Sequence, residues 1–187
     1  MTRGRARRPG TSTLPPAEAR RRAQRLRLVL ADCDGVLTDS GVFYGESGEV
    51  MKRFSIRDGM GVERLRLAGI ESGIVSGEVS PGIVRRAEKL ALRHVLLGVK
   101  DKRAAVEALC AQSGLLSAEL AYIGDDANDV ALLDGLAKEG LTGAPRDALP
   151  EVAERVHYLC RVAGGSGAFR DFAEWLLALR AGGPRRG

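Results

Sequence analysis

A chain of 187 residues in which 44% are hydrophobic is long enough to bury the core of one domain, and no apolar run approaches the roughly 20 residues that cross a bilayer. The net charge of +5 is unevenly placed: residues 1–25 carry eight arginines against Glu18, a balance of +7 that leaves the body at −2. A slightly acidic body with only 4% aromatic residues argues against a nucleic-acid surface.

The basic segment 1–25 contains Pro9, Pro15 and Pro16 and few apolar residues, a composition that predicts a disordered tail. It lacks the apolar core of a signal peptide, so a cytoplasmic location is expected. Cys33, Cys110 and Cys160 form no CxxC pair, and an odd number fits the same reducing compartment. The apolar run at 26–31 predicts a buried strand that delivers Asp32-Cys33-Asp34-Gly35 into a turn. Residues 42–54 then read as a hairpin, two β-prone runs flanking the turn-rich stretch from Gly45 to Gly48.

Residues 58–68 predict a helix stopped by Gly69, and 70–75 a second strand ending in Ser76-Gly77-Glu78. Ser80-Pro81 is a helix start, an N-cap with proline in the first turn. A strand at 94–97 and a helix opened by Lys100-Asp101-Lys102 follow. The strand at 120–123 feeds Gly124-Asp125-Asp126-Ala127-Asn128-Asp129 and a helix at 130–136. A strand near Leu141, a helix at 148–154, a strand at 156–159, a Gly-rich turn at 164–167 and an amphipathic helix at 168–179 complete one domain over 26–180, with 181–187 as a flexible C-terminus. Strands alternating with helices predict an α/β fold, a parallel sheet covered on both faces.

What sits just past each strand is the informative pattern. Asp32 and Asp34 follow the first, Ser76 the second, Asp125, Asp126 and Asp129 the fourth, and Lys102 opens the helix after the third. In a parallel sheet these ends share one edge, where open α/β folds bind ligands. Carboxylates, a hydroxyl and an ammonium converging there suit phosphoryl chemistry assisted by a hard cation, and oxygen ligands favour Mg²⁺.

Asp32-Cys33-Asp34-Gly35-Val36, Ser76-Gly77, Lys102 and Gly124 to Asp129, in that order, resemble the four motifs of the haloacid-dehalogenase-type phosphatases. The resemblance implies a three-layer Rossmann-like fold and a phosphomonoester hydrolase working through an aspartyl phosphate. It makes Asp32 the nucleophile and Asp34 the acid and then the base. Ser76 and Lys102 become holders of the phosphoryl oxygens. Mg²⁺ would take Asp32, the backbone carbonyl of Asp34, and Asp125. Asp126 and Asp129 would stand behind these ligands, Asp129 orienting Lys102 or a metal-bound water. The intervals between motifs are too short to bury a cap domain, so the hairpin at 42–54 is expected to cover the site or to pack on a neighbouring subunit.

Phe54-Ser55-Ile56-Arg57-Asp58-Gly59 and Gly164-Gly165-Ser166-Gly167-Ala168-Phe169-Arg170 are similar to the capless, homotetrameric subgroup that hydrolyses 2-keto-3-deoxy sugar-acid phosphates of sialic acid or lipopolysaccharide biosynthesis. Within it, Glu78 stands where the branch acting on 3-deoxy-D-manno-octulosonate 8-phosphate usually has arginine. With Lys89 it resembles the branch acting on 2-keto-3-deoxynononate 9-phosphate or acylneuraminate 9-phosphate, and Ser166 departs from the octulosonate pattern too. Arg57 points the other way. The resemblance therefore ranks the nine-carbon ester first and the eight-carbon ester second, with Arg57, Gly77, Glu78, Lys89 and Asn128 as substrate-binding candidates. A receiver domain is excluded by motif order, because its lysine comes last, and a dinucleotide fold by the lack of GxGxxG after the first strand. A non-catalytic oligomerisation or regulatory module of nucleotide-sugar synthesis is the remaining alternative, and it has no need of both Asp32 and Asp34.

Overall fold

The computed structural model describes residues 7–182. Its centre is β1 (Leu28–Ala31), a strand with no exposed residue. β4 (Glu71–Val75) and β6 (Leu120–Ile123) pair with it in parallel, one on each side. β5 (His94–Leu96) extends the sheet beyond β4, and β7 (Leu141–Ala144) and β8 (Tyr158–Leu159) extend it beyond β6, giving the order β5-β4-β1-β6-β7-β8. Parallel strands buried on both faces need helices above and below, and alternate residues of β1 supply both layers. Val29 and Ala31 face one core, and Leu28 and Leu30 face the other.

The first layer holds α1 (Pro16–Arg25), α2 (Ile56–Leu67), α3 (Pro81–Lys89) and α7 (Ala168–Arg180), which bring Ala23, Val62, Leu65, Ile83, Ala87, Phe169 and Phe172 onto the sheet. The second holds α4 (Lys102–Ser113), α5 (Val130–Leu136) and α6 (Pro150–Arg155), through Val106, Leu132, Leu133, Leu136 and Val152. The expected three-layer α/β fold is thus the observed one. Between β1 and β4 lie only a hairpin, β2 (Val42–Gly45) and β3 (Gly48–Lys52), and α2, so the fold is capless. The hairpin forms its own two-stranded antiparallel sheet, separate from the main one.

Local chemistry explains the element starts that matter for the site. Ser55 caps α2 by accepting from the Arg57 N–H at 3.2 Å, which begins the helix two residues before the predicted start. Asp101 caps α4 by accepting from the Ala104 N–H at 2.9 Å, so that Lys102 becomes the first helical residue.

The expectation of a disordered tail over 1–25 is corrected for residues 7–25; residues 1–6 and 183–187 lie outside the described residues. Pro16 starts α1, and Ala19 and Ala23, four residues apart, give it a narrow buried stripe against α7. The arginines that argued for disorder bind main-chain carbonyls instead. Arg22 donates to the carbonyls of Ala137 at 2.8 Å and Gly140 at 2.9 Å, and Arg7 to those of Ala153 at 2.8 Å and Val156 at 2.5 Å. Composition underestimates this segment because it docks on a face that the rest of the chain has already built. Among the described residues no helix is long and apolar enough to cross a membrane.

Candidate active site

Asp32, Lys102, Asp125 and Asp129 meet at the carboxyl edge of the central strands. Asp32 continues β1, its N–H donating to the Ile123 carbonyl at 2.9 Å, and Asp125 follows β6 two residues beyond that carbonyl. Lys102 sits between carboxylates, its Nζ 2.8 Å from Asp32 Oδ1 and 2.7 Å from Asp129 Oδ1, with its side chain only 1% exposed. Burial pushes an ammonium towards neutrality, but Asp32 and Asp129 outweigh that, and the Lys102 pKa is raised.

Asp129 is fully used by donors. Its Oδ1 accepts from Lys102 and from the hydroxyl of the wholly buried Tyr122, and its Oδ2 from the N–H groups of Asp125 at 2.9 Å and Asp126 at 3.2 Å. It therefore aims Lys102 and holds the Asp125 loop, and it has little left to offer a metal.

Asp125 has the opposite character. Carboxylate oxygens of Asp32, Asp125 and Asp129 lie within 4.8 Å of one another, and Asp125 Oδ1 is buried with no hydrogen-bond partner among the described residues. An orphaned buried carboxylate oxygen beside a second carboxylate is what a hard divalent cation fits. Burial, reinforced by Asp129 and opposed by Lys102, raises Asp32 to about 6; burial, then Asp32 and Asp129, raise Asp125 to about 8.

These shifts make cation binding compete with protons, because ligands must be deprotonated. Below about pH 6 both acids hold protons that the cation must displace, and above about pH 8 neither does. Between those limits Asp125 alone still holds a proton, so the apparent affinity of chelator-stripped protein for a divalent cation is expected to rise from pH 6 to pH 8 by up to about tenfold per unit. Calorimetry across that range checks it, and a flat affinity contradicts it.

Close packing shapes the turn after β1. Gly35 has φ of +92°, and a Cβ there would overlap the Asp125 carboxylate. On the other side, a Cβ at Gly164 would overlap the Gly35 carbonyl. The Gly-rich turn at 164–167 therefore locks the acidic turn against the Asp125 loop, and Gly164 is itself held by its N–H donating to Asp147 Oδ1 at 2.9 Å.

The remaining predicted residues divide. Ser76 is buried at the end of β4, its Oγ accepting from the Glu78 N–H at 3.1 Å, and Gly77 follows it against the Val99 carbonyl. Asn128 lies within reach of Lys102, Nζ to Oδ1 at 3.4 Å, and Asp126 spends its carboxylate capping the turn at Ala127. Arg57 is exposed beside Gly167 of the Gly-rich turn. Glu78 is exposed at the sheet edge, whereas Lys89 is exposed at the last residue of α3, the far end of that helix from Ser76. Within one chain these two do not converge.

Sequence reasoning missed Lys52, Thr38 and Tyr122. Lys52 Nζ lies 2.7 Å from Asp34 Oδ2 with its side chain 2% exposed, and the Thr38 hydroxyl donates to Asp34 Oδ1 at 3.0 Å. A lysine on a two-stranded hairpin ordinarily marks a solvated edge, so no local signal sets Lys52 apart. Tyr122 reads as strand core, and only the fold shows its hydroxyl meeting Asp129.

No family model matches the chain. The chain is 35% identical over 156 residues to the 3-deoxy-D-manno-octulosonate 8-phosphate phosphatase KdsC of Yersinia pestis, covering 83% of this chain and 82% of that protein. Its fold matches the cobalt-bound deoxy-D-mannose-octulosonate 8-phosphate phosphatase YrbI of Haemophilus influenzae with a TM-score of 0.80 at 34% identity, covering 86% of this chain and 92% of that one. It matches the 3-deoxy-D-manno-octulosonate 8-phosphate phosphatase of Moraxella catarrhalis, in complex with magnesium ion, phosphate ion and a KDO molecule, with a TM-score of 0.82 at 29% identity, covering 88% and 92%. All three are named for the eight-carbon ester. The names of these relatives back the eight-carbon reading better than the nine-carbon one that Glu78 and Lys89 suggested.

Proposed function

The chain belongs to the KdsC-like phosphatases of the haloacid-dehalogenase superfamily and is a phosphatase of sugar-acid phosphates; on that premise we propose that it hydrolyses 3-deoxy-D-manno-octulosonate 8-phosphate with Mg²⁺. The observation that carries the chemistry is the convergence of Asp32, Lys102 and the unpartnered Asp125 oxygen at one sheet edge.

In this proposal Asp32 attacks phosphorus and becomes the aspartyl phosphate. A carboxylate is a weak nucleophile, but the phosphoryl centre accepts it once its charge is neutralised. Lys102 and Ser76 hold phosphoryl oxygens, assisted by the main-chain N–H groups around Cys33–Gly35. Asp34 gives a proton to the leaving alkoxide and then takes one from the water that cleaves the intermediate. Asp32, Asp125 and the Asp34 carbonyl are the groups that would hold Mg²⁺, which supplies charge neutralisation at the phosphoryl oxygens. Asp129 and Tyr122 keep Lys102 in place.

The proposal extends to a cytoplasmic homotetramer in which the hairpin packs on a neighbour. Phe43, Tyr44, Val50 and Met51 are exposed along it, an apolar surface of the kind that subunit contacts cover. An isolated subunit leaves Glu78 and Lys89 apart, and a neighbouring subunit is one way to bring such residues to a single substrate.

Matched assays on the eight- and nine-carbon ester phosphates test the substrate. A preference of about tenfold or more in kcat/KM for the eight-carbon ester is expected, the scale on which pockets discriminate such neighbours. A preference for the nine-carbon ester would overturn the assignment and return the weight to Glu78 and Lys89.

A further inference from the structure

Lys52 is a buried charge that none of the four motifs contains. It ends β3, in a sheet separate from the one that carries the catalytic strand ends. Its ammonium faces two carboxylates, Asp34 Oδ2 at 2.7 Å and Glu49 Oε2 at 3.8 Å. Glu49 in turn accepts from the Ser80 hydroxyl, which is thereby drawn away from capping α3. The hairpin is thus tied both to the acidic turn after β1 and to the start of the helix after Ser76.

Asp34 differs from its neighbours in being accessible, with 22% of its side chain exposed against 8% for Asp32 and none for Asp129. It stands at the mouth of the site, where a leaving group departs. Two donors from two different elements hold its carboxyl group, Lys52 at Oδ2 and Thr38 at Oδ1. Keeping a lysine buried costs desolvation energy, and here that cost is offset by a single purpose-built contact set rather than by the core.

We propose that Lys52 is a positioning residue for the leaving-group step, holding the Asp34 carboxyl group at the ester oxygen and receiving the carboxylate formed there. The proposal rests on the phosphatase reading above. As the bond from Asp32 to phosphorus forms, the bond from phosphorus to the ester oxygen breaks. The proton of the Asp34 carboxyl group goes to that oxygen, and the carboxylate left behind is held by Lys52 and Thr38. The main sheet places the nucleophile and the docked hairpin orients the acid, so the two halves of the reaction are set by different elements.

A leaving group that departs as a stable anion needs no proton, which separates this role from a general structural one. The test compares kcat/KM, which reports steps through formation of the phosphoenzyme, for 3-deoxy-D-manno-octulosonate 8-phosphate and for 4-nitrophenyl phosphate. Lys52→Met is expected to lose about a hundredfold on the sugar ester, within the range that a positioned general acid contributes, and far less on the aryl ester, so that the ratio of the two falls at least about tenfold. Lys52→Gln, which keeps a neutral donor one bond shorter, provides the same ratio if the methionine variant fails to fold, with a smaller drop expected. An equal loss on both esters in a folded variant overturns the proposal. If wild-type protein releases phosphate from neither ester, the phosphatase reading itself fails.

Discussion

Asp32→Asn is expected to lower divalent-cation-dependent phosphate release by at least about ten-thousandfold, the scale of a lost nucleophile. The amide is nearly isosteric, and the main chain that places it, with the Asp32 N–H bonded to Ile123, is unchanged. What disappears is the charge that attacks phosphorus and one of the three carboxylates in the acidic cluster. Phosphate release by the purified variant measures this, and mass spectrometry after mixing with substrate reads the aspartyl phosphate directly. Substantial remaining turnover, or phosphoryl label at Asp34 instead, would sink the assignment of Asp32 as nucleophile.

The second large effect is expected from Lys102→Met. Lys102 neutralises Asp32 and Asp129 in a region where the three side chains are 1%, 8% and 0% exposed. Removing one partner of a buried ion pair leaves an uncompensated charge and costs about 3–5 kcal/mol. Two signatures distinguish this from simple loss of packing. The deficit should shrink as pH falls from about 8 towards 5, because protonating the raised carboxyl groups of Asp125 and Asp32 removes the repulsion. Added divalent cation should recover part of the loss at pH 8 by replacing the missing positive charge. Denaturant unfolding at the two pH values, with and without the cation, checks both. A loss under about 1 kcal/mol, typical of an exposed pair, would mean that the carboxylates do not depend on the ammonium.

The strand-end residues were legible because a parallel sheet imposes its geometry on the chain. Once 26–31, 70–75 and 120–123 are strands of one sheet, Asp32, Ser76 and Asp125 have to share an edge, and Lys102 joins them as the first residue of a helix following β5. Helix α1 was not legible, because two buried alanines among arginines make no core of their own and gain stability only from the surface of α7. Lys52 was hidden for a related reason. Its partner is 18 residues away in sequence, and the contact exists only where the hairpin docks on the turn after β1.

The substrate ranking illustrates a different limit. Glu78 precedes α3 and Lys89 ends it, and the pair was singled out because it resembles the nine-carbon branch of the family. Both are exposed, Glu78 at the sheet edge before α3 and Lys89 at the helix's far end. A residue's chemistry can be read locally, but the set of residues that meets one substrate depends on how elements, and in the proposed tetramer subunits, are arranged around it.

The sequence carried the reaction class, because paired acids, a hydroxyl, a lysine and a second acidic turn follow one another in the order that resembles a known phosphatase family. Tertiary structure alone decided the division of labour among those groups. Tyr122, Lys102 and two main-chain N–H groups consume Asp129, while Asp125 keeps a free buried oxygen for a cation. It also brought Lys52 and Thr38 to Asp34 from outside the motifs. Spacing along the chain specifies which side chains reach the sheet edge; desolvation and the hydrogen-bond partners waiting there decide which of them hold a metal and which are already spent.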